Sequence, residues 1–212
     1  MPVVIVGAGG HAKVVCDALL ASGLSESELR GFVDDQPDKW GGRVLGFPIL
    51  GGVDSVSAGE VHLAMAIGDN AARQRAFENA KRLGHKFINV IHPQAVVGRE
   101  CRFGEGIVVF AQAVVNSGTE IGDGVIVNTA CSVDHDCRIG AHAHIAPGAR
   151  LAGGVSVGEG ALIGIGAVAI PGISIGARSV VGAGAAVTRD LPPDCVAVGV
   201  PARVIKIKEK DG

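Results

Sequence analysis

The second half of the chain carries an apolar residue at every sixth position without interruption. A period of six fits neither the 3.6-residue period of a helix nor the two-residue alternation of an ordinary strand. It is typical of a parallel β-helix, in which each hexapeptide supplies a short strand and a turn, and stacked coils share one core. The positions of this series are Ile91, Val97, Phe103, Val109, Val115, Ile121, Val127, Val133, Ile139, Ile145, Leu151, Val157, Ile163, Ala169, Ile175, Val181 and Val187.

Small residues occupy fixed places around the series. Glycine often follows the apolar residue, and the residue two positions before it is usually small. Three hexapeptides per turn would make roughly five to six coils of 18 residues, so residues 18 apart should lie above one another. In this register Cys131 and Cys137 point into the core, which argues against a cysteine nucleophile.

The first half alternates short apolar runs with amphipathic segments, which is typical of a small nucleotide-binding α/β unit. The apolar runs over residues 2–6, 31–33 and 61–67 are each followed by glycine or aspartate, at the strand ends where parallel sheets bind ligands. The first predicted helix should bury Val14, Val15, Ala18 and Leu19. We predict strands over residues 2–6, 31–33, 61–67 and 86–90, and helices over residues 12–21 and 71–83.

The turn after the first strand carries Gly7, Gly9 and Ala12 at the spacing of the loose dinucleotide fingerprint, and Asp34 follows at the distance expected of a ribose ligand. The same glycines could simply turn the chain. The unit has about 90 residues, half of a two-part dinucleotide fold, and so suits one nucleotide better than two. We therefore predict a sugar-nucleotide domain at residues 1–90 and a β-helix domain at residues 91–212.

Composition narrows the class of partner. Glycine accounts for 33 of 212 residues, yet 48% of the chain is hydrophobic, which excludes a disordered protein. A net charge of −2, 3% aromatic residues and the lack of tyrosine give no basis for a nucleic-acid site. The uncharged stretch over residues 160–177 obeys the hexapeptide repeat, so we expect no membrane span. With no readable signal peptide and five unpatterned cysteines, we expect a cytoplasmic protein.

His135 is the strongest candidate for chemistry. It lies two positions after the inward Val133, which should turn it outward, and stacking places it between Ser117 and Gly153. A carboxylate beside an exposed imidazole stabilises the protonated form and raises its basicity. Histidine with such a neighbour suits a general base near neutral pH, although most exposed histidines are only solvated surface residues.

The string from Asn128 to Cys137, with the Gly7 to His11 turn and the ending Gly199 to Arg203, resembles the hexapeptide-repeat acetyltransferases of nucleotide-linked amino sugars. These are the PglD and perosamine N-acetyltransferase type and the related sialic acid O-acetyltransferases. The resemblance implies a left-handed β-helix, acetyl-CoA as cosubstrate, a nucleotide-sugar substrate and a role in glycan biosynthesis. It also implies that His135 is the general base and that Asp136 raises its basicity.

The resemblance assigns two further sets of residues. Stacking independently places Ile165 and Ala183 on one wall, because they are 18 apart. For acetyl-CoA the matching positions are His144, Gly153, Ile165 and Ala183; for the sugar nucleotide they are Gly9, Gly10, His11, Asp34, Asp35 and Gly68.

Four functions and one assembly are compatible with these residues. The same base would serve an N-acetyltransferase acting on a UDP- or GDP-linked 4-amino-4,6-dideoxy sugar or a sialic acid-type O-acetyltransferase. A zinc hydrase would need His135, His142 and His144 to converge, but His135 lies on another side of the coil, and we expect no metal. A non-catalytic sugar-nucleotide module is the last alternative. The apolar outer surface near residues 160–177 predicts a homotrimer with sites at its seams.

Overall fold

The computed structural model describes residues 1–207, so residues 208–212 of the predicted second domain lie outside the described part. It shows an α/β unit followed by a parallel β-solenoid, which confirms the predicted fold class. The α/β unit contains β1 (Val3–Val6), α1 (Gly10–Ala21), β2 (Leu29–Val33), β3 (Arg43–Val44), β4 (Phe47–Pro48), β5 (His62–Met65) and α2 (Asn70–Arg82), with 3₁₀ turns at Pro37–Lys39 and Val53–Ser55.

The α/β unit is built on a three-stranded parallel sheet in the order β2-β1-β5. All four residues of β1 are buried, as befits a central strand covered on both faces. Helix α1 buries Val15, Ala18 and Leu19 as predicted, but Val14 is exposed, and Cys16 takes its place in the core.

The solenoid begins at Val90, one residue before the start of the apolar series. Residues 86–90 do not form a single strand: Phe87 makes an isolated bridge to Leu63, whereas Val90 already belongs to the solenoid. The prediction of one strand there was wrong, because a short apolar run does not reveal which sheet it joins.

Each solenoid strand except the last two is two residues long. Every third strand stacks in parallel register, which forms three faces. In chain order they are β6 (Val90–Ile91), β7 (Val96–Val97), β8 (Arg102–Phe103), β9 (Val108–Val109), β10 (Val114–Val115), β11 (Glu120–Ile121), β12 (Ile126–Val127), β13 (Ser132–Val133), β14 (Arg138–Ile139), β15 (His144–Ile145), β16 (Arg150–Leu151), β17 (Ser156–Val157), β18 (Leu162–Ile163), β19 (Val168–Ala169), β20 (Ser174–Ile175), β21 (Val180–Val181), β22 (Ala186–Val187), β23 (Cys195–Val198) and β24 (Arg203–Ile207).

We call the three faces A, B and C. Face A contains β6 and every third strand to β21, followed by β23 and the antiparallel β24; face B contains β7 to β22, and face C contains β8 to β20. Residues 18 apart are register partners, as the sequence predicts; Val115 pairs with Val133 and Val133 with Leu151. Because the solenoid has three faces, the corner between faces B and C lies opposite face A.

The series of apolar residues fills the solenoid core from Val109 onward, where every member is buried. Its first members, Ile91 and Val97, are partly exposed because the first coil has no coil beneath it. The outer side of face A is also covered: Val108, Phe110 and Ile126 pack into the core of the α/β unit with Ile5 and Val15. The two parts of the chain are therefore joined by a shared apolar interface.

Candidate active site

His135 and Asp136 lie in the turn between β13 and β14, at the corner between faces B and C. The Nδ1 atom of His135 is 2.9 Å from Oδ2 of Asp136, so the ring donates to the carboxylate. This pairing sets the tautomer and leaves Nε2 as the nitrogen able to accept a proton. Both side chains are exposed, His135 by 63%.

Backbone conformation brings the short Asp136 side chain within reach of the ring. Asp136 adopts a left-handed conformation, with φ at +57°, and its N–H donates to the carbonyl of Ser117 in the preceding coil. Gly118 makes room for its carboxylate, because a Cβ at that position would lie 2.6 Å from Oδ1 of Asp136. The histidine–aspartate pair thus depends on a glycine 18 residues earlier.

A second carboxylate holds the backbone of the same turn. Oδ1 of Asp134 accepts from the N–H of His135 and from Nδ2 of Asn116, both at 2.8 Å. The hydrogen bond to Asp136, followed by the charge of Asp134, raises the pKa of His135 above its ordinary value. The site therefore presents an imidazole with increased basicity on a fixed turn.

Gly153 lies directly against the His135 ring, as stacking predicts. A Cβ at this position would lie 2.6 Å from both Cε1 and Nε2 of His135. The carbonyl of His135 accepts from the N–H of Gly154, which ties the two coils together. Only glycine leaves the ring in this position.

The predicted wall of Ile165 and Ala183 is present, but at another corner. Both residues lie in turns between faces A and B, and the N–H of Gly184 donates to the carbonyl of Ile165. Both are exposed, Ile165 by 62%. Within one chain, Gly153 is therefore brought to His135, whereas Ile165 and Ala183 are not.

All six residues predicted to bind the sugar nucleotide line one cavity of about 340 Å³ in the α/β unit. The cavity lies at the carboxyl ends of β1 and β2 and at the N-terminus of α1, where backbone N–H groups favour a phosphate. Lys39 is the one cationic side chain in its lining within residues 1–207. Those six predicted residues are Gly9, Gly10, His11, Asp34, Asp35 and Gly68.

Asp34 and Asp35 differ in whether their carboxylate oxygens are available to a ligand. Oδ2 of Asp34 accepts from the N–H of Ala8 at 2.8 Å and from Nζ of Lys39 at 3.0 Å, and Oδ1 accepts from the N–H of Gln36. Burial raises the pKa of Asp34, but these hydrogen bonds lower it more, so the net shift is downward. Asp34 therefore organises the cavity wall, while the exposed Asp35 faces the cavity.

His144 lies on the outer side of face A, beneath the α/β unit. Its Nε2 is 2.9 Å from Nδ2 of Asn128, and its ring centroid is 6.4 Å from that of His11. The His11 ring in turn meets Phe110 edge-on at 5.2 Å. Burial and then the charge of Arg73 lower the pKa of both His11 and His144 to about 4, so these rings are neutral near pH 7.

Near His135, residues 1–207 hold neither an exposed thiol nor a cluster of three metal-ligating side chains. Cys131 and Cys137 are buried in the solenoid core, and burial raises the pKa of both thiols, that of Cys131 to about 12. His142 lies at the corner between faces C and A and His144 on face A, both away from the corner of His135, and no group of three or more metal-ligating side chains occurs in the described chain. The same residues contain no helix with the length and apolar character of a membrane span.

Three residues of the site carried no role in the sequence-based prediction. Asn128 holds His144, Lys39 holds Asp34, and Arg73 joins the α/β unit to the solenoid. A signal for Arg73 exists: it shares the buried stripe of α2 with Phe77 and Ala80, where a charged residue is rare.

A stacked parallel solenoid with a histidine–carboxylate pair at one corner defines the class of hexapeptide-repeat transferases. The family comparisons agree. Residues 2–80 match the PglD N-terminal domain, residues 118–153 match the bacterial transferase hexapeptide, and residues 154–189 match the hexapeptide repeat of succinyl-transferase.

Solved structures of two relatives superpose on nearly the whole chain. PerB from Caulobacter crescentus, in complex with CoA and GDP-perosamine, is 45% identical, with 97% of this chain and 98% of that chain covered and a TM-score of 0.90. The acetyltransferase domain of PglB from Neisseria gonorrhoeae, in complex with acetyl coenzyme A, is 39% identical, with coverages of 96% and 98% and a TM-score of 0.88.

A curated relative matches over a shorter length. UDP-N-acetylbacillosamine N-acetyltransferase of Bacillus subtilis is 39% identical over 117 residues, which is 51% of this chain and 51% of that protein. The chain belongs to the family of PglD- and PerB-type acetyl-CoA-dependent sugar N-acetyltransferases.

Proposed function

We propose that the protein transfers the acetyl group of acetyl-CoA to the amino group of a UDP- or GDP-linked 4-amino-4,6-dideoxy sugar. The observation that carries this proposal is the exposed His135 ring, held by Asp136 at Nδ1 and lying against Gly153. The relatives support the substrate class, because PerB was solved with CoA and GDP-perosamine and the Bacillus protein is named as an N-acetyltransferase of a UDP-linked sugar.

Direct transfer needs one base. The neutral sugar amine attacks the thioester carbonyl, and Nε2 of His135 accepts the proton that the nitrogen loses as the new C–N bond forms. The tetrahedral intermediate then expels the CoA thiolate, which takes the proton from the imidazolium and leaves as the thiol. The N–H of Gly153, beside the ring, is our candidate donor to the oxyanion.

The cavity of the α/β unit is the proposed site of the sugar nucleotide. The Gly9 and Gly10 amides at the start of α1 suit a diphosphate, and the exposed Asp35 suits a donor on the ribose or base. His11 and Gly68 form the inner wall toward His144. Asp34 acts here through Lys39 and the Ala8 amide.

We also propose that the working enzyme is a homotrimer whose sites are shared between neighbouring chains. The cavity and His144 lie over face A, whereas His135 lies at the corner opposite that face, so one chain does not bring its own base to its own cavity. The exposed Ile165 and Val168 near face B give each solenoid an apolar surface for a neighbour. In such a ring, His135 and Gly153 of one chain and Ile165, Ala183 and His144 of the next would hold acetyl-CoA.

One screen tests the activity and the acceptor together. UDP- and GDP-linked 4-amino sugars are offered with acetyl-CoA, sialic acid serves as the hydroxyl control, and thiol release is followed. Turnover with a 4-amino sugar supports the proposal. Turnover with sialic acid alone would make the protein an O-acetyltransferase, and binding of sugar nucleotide without acetyl transfer would make it a binding module.

A second measurement tests the assembly. Light scattering coupled to size exclusion is expected to give three times 21.4 kDa. A monomer that is fully active at the same concentration would contradict the shared site.

A further inference from the structure

Arg73, in the first turn of α2, has a side chain that is fully buried. Its five N–H groups all find acceptors. Nη1 donates to the carbonyls of Ile67 and Gly68, both at 3.0 Å, and Nη2 donates to Oδ1 of Asn70 at 2.8 Å. The Nε–H group and the second N–H of Nη2 donate to carbonyls of the solenoid.

Two solenoid turns receive the remaining bonds. Nε donates to the carbonyl of Gly124 at 2.7 Å, and Nη2 donates to the carbonyl of His142 at 2.6 Å. Gly124 and His142 both have positive φ and lie in turns between faces C and A. One guanidinium thus ties the segment after β5 to the two turns that precede β12 and β15.

This arrangement is a poor choice for stability alone. A buried cation is costly to desolvate, and even a complete buried ion pair can often be replaced by apolar residues of similar volume without loss of stability. No carboxylate in residues 1–207 accepts a hydrogen bond from this guanidinium; its charge is offset by carbonyl dipoles, by Oδ1 of Asn70 and by the nearby charge of Asp69. The planar fork instead imposes a fixed geometry on the segments that it joins.

The joined segments are the ones that carry the proposed chemistry. Gly68 lines the cavity, and a Cβ at its position would lie 4.0 Å from Cγ of His11. His142 is two residues before His144, whose ring faces that of His11. A shift of α2 relative to the solenoid would therefore change the position of the cavity wall relative to His144.

We propose that Arg73 is a positioning residue, which fixes the Ile67–Gly68 wall of the sugar-nucleotide cavity relative to the strand that carries His144. The inference rests on the proposed function for its kinetic consequence but not for its structural one. Arg73 touches neither reacting atom, and acts through the segments whose carbonyls it binds.

The test compares Arg73→Met, Arg73→Lys and the control Arg75→Met, which changes an exposed arginine of the same helix. Amide hydrogen exchange is measured at Ala72, whose N–H donates to Oδ1 of Asp69, and at Gly124 and His142, whose N–H groups donate to the carbonyls of Glu105 and Asp123. In Arg73→Met we expect exchange in these segments to rise at least tenfold while the solenoid core stays protected; Arg73→Lys should show a smaller rise, because it keeps the charge but not the fork. Arg75→Met should match the parent protein.

Steady-state kinetics then measure both the KM for the sugar nucleotide and kcat in each variant. We expect Arg73→Lys to raise KM and lower kcat, each by several-fold, at an unchanged content of folded protein. Exchange at Ala72, Gly124 and His142 equal to that of the parent would overturn the inference even in an active enzyme. If no sugar is acetylated by the parent, the proposed function fails, while the exchange result still decides the role of Arg73. If Arg73→Met does not fold, the Arg73→Lys comparison decides alone.

Discussion

The imidazole of His135 lies against the α-carbon of Gly153 in the next coil, so close that a Cβ there would come within 2.6 Å of two ring atoms. The contact exists because the two residues are 18 apart in a solenoid whose strands pair in that register. Residues of three neighbouring coils thus determine the properties of the proposed base. Asp136, in the same coil, sets its tautomer and basicity; Gly118 in the preceding coil leaves room for the Asp136 carboxylate, and Gly153 in the next coil leaves room for the ring.

Gly153→Ala should displace the His135 ring without unfolding the solenoid. Gly153 does not have a positive φ, so alanine adds no backbone strain, and the cost falls on the exposed ring. We expect kcat to fall about 10-fold or more, because a small misplacement of a catalytic group is expensive. Steady-state kinetics and thermal unfolding measured together check this; a large drop in unfolding temperature with normal activity per folded molecule would contradict it.

His135→Ala should lose most of kcat with little change in stability. Removal of a general base typically costs about 10²–10⁴-fold in rate. The side chain is exposed, so its truncation opens no core cavity. His92→Ala, in the first coil, is the control. Activity of His135→Ala within a few-fold of the parent would show that another group accepts the proton.

Asp136→Asn should shift the acidic limb of the rate–pH profile. Asp136 is the largest contributor to the raised pKa of His135, so its loss lowers that pKa. Since the base works only when unprotonated, the variant should keep its reduced activity down to a lower pH than the parent. Gly118→Ala, whose Cβ would displace the Asp136 carboxylate, should shift the limb in the same direction and, because Gly118 has a φ of +75°, also lower stability. A rate–pH profile equal to that of the parent in both variants would show that Asp136 does not raise the pKa of the catalytic imidazole.

Asp34 and Asp35 should respond differently to substitution. Asp35→Asn is expected to weaken binding of UDP or GDP with the fold intact, because its carboxylate is exposed to the cavity. Asp34→Asn should weaken binding and also lower the free energy of unfolding, because it disturbs the bonds to Lys39 and the Ala8 amide. Calorimetric titration and urea unfolding measure the two effects. Acetyl-CoA binding should be spared in both variants.

Acid should destabilise the interface between the α/β unit and the solenoid. The pKa of His11 and of His144 is about 4 in the folded protein, and that of an unfolded histidine is about 6.5, so the unfolded chain binds more protons between these values. The free energy of unfolding should therefore fall as the pH is lowered from 6.5 toward 4, by at most about 3 kcal/mol per histidine. Urea unfolding of His11→Gln, with His62→Gln as control, should show a shallower fall for His11→Gln alone.

The solenoid could be predicted almost residue by residue, because its period is rigid. One apolar position in six, repeated to Val187, determines which side chains enter the core, and the 18-residue register then places Gly153 on His135. The α/β unit was predicted less well. Val14 is exposed and residues 86–90 are divided between two sheets, because short apolar runs do not specify the surface that covers them.

Contacts between the α/β unit and the solenoid could not be predicted in this way, because no periodic pattern in the sequence relates the two halves of the chain. The bonds of Arg73 to Gly124 and His142 join residues far apart in sequence, and neither turn shows a pattern that requires a cation. The 2.9 Å contact of Asp136 with His135 depends on a backbone angle rather than on side-chain length. Periodicity predicts stacking within the solenoid; it does not predict how another unit packs on its outer surface.

The separation of His135 from the cavity, on opposite sides of one solenoid, has a genetic consequence. If each site takes its base from one chain and its cavity from the next, a variant without the base and a variant with weakened sugar-nucleotide binding can rescue one another in mixed oligomers. Coexpression of His135→Ala with Asp35→Ala in equal amounts should then restore activity to roughly a quarter of the parental level, since one seam in four pairs an intact base with an intact cavity. The assay uses a sugar-nucleotide concentration too low for turnover by Asp35→Ala alone. Two defective alleles of this protein would thus complement one another, as separate genes do.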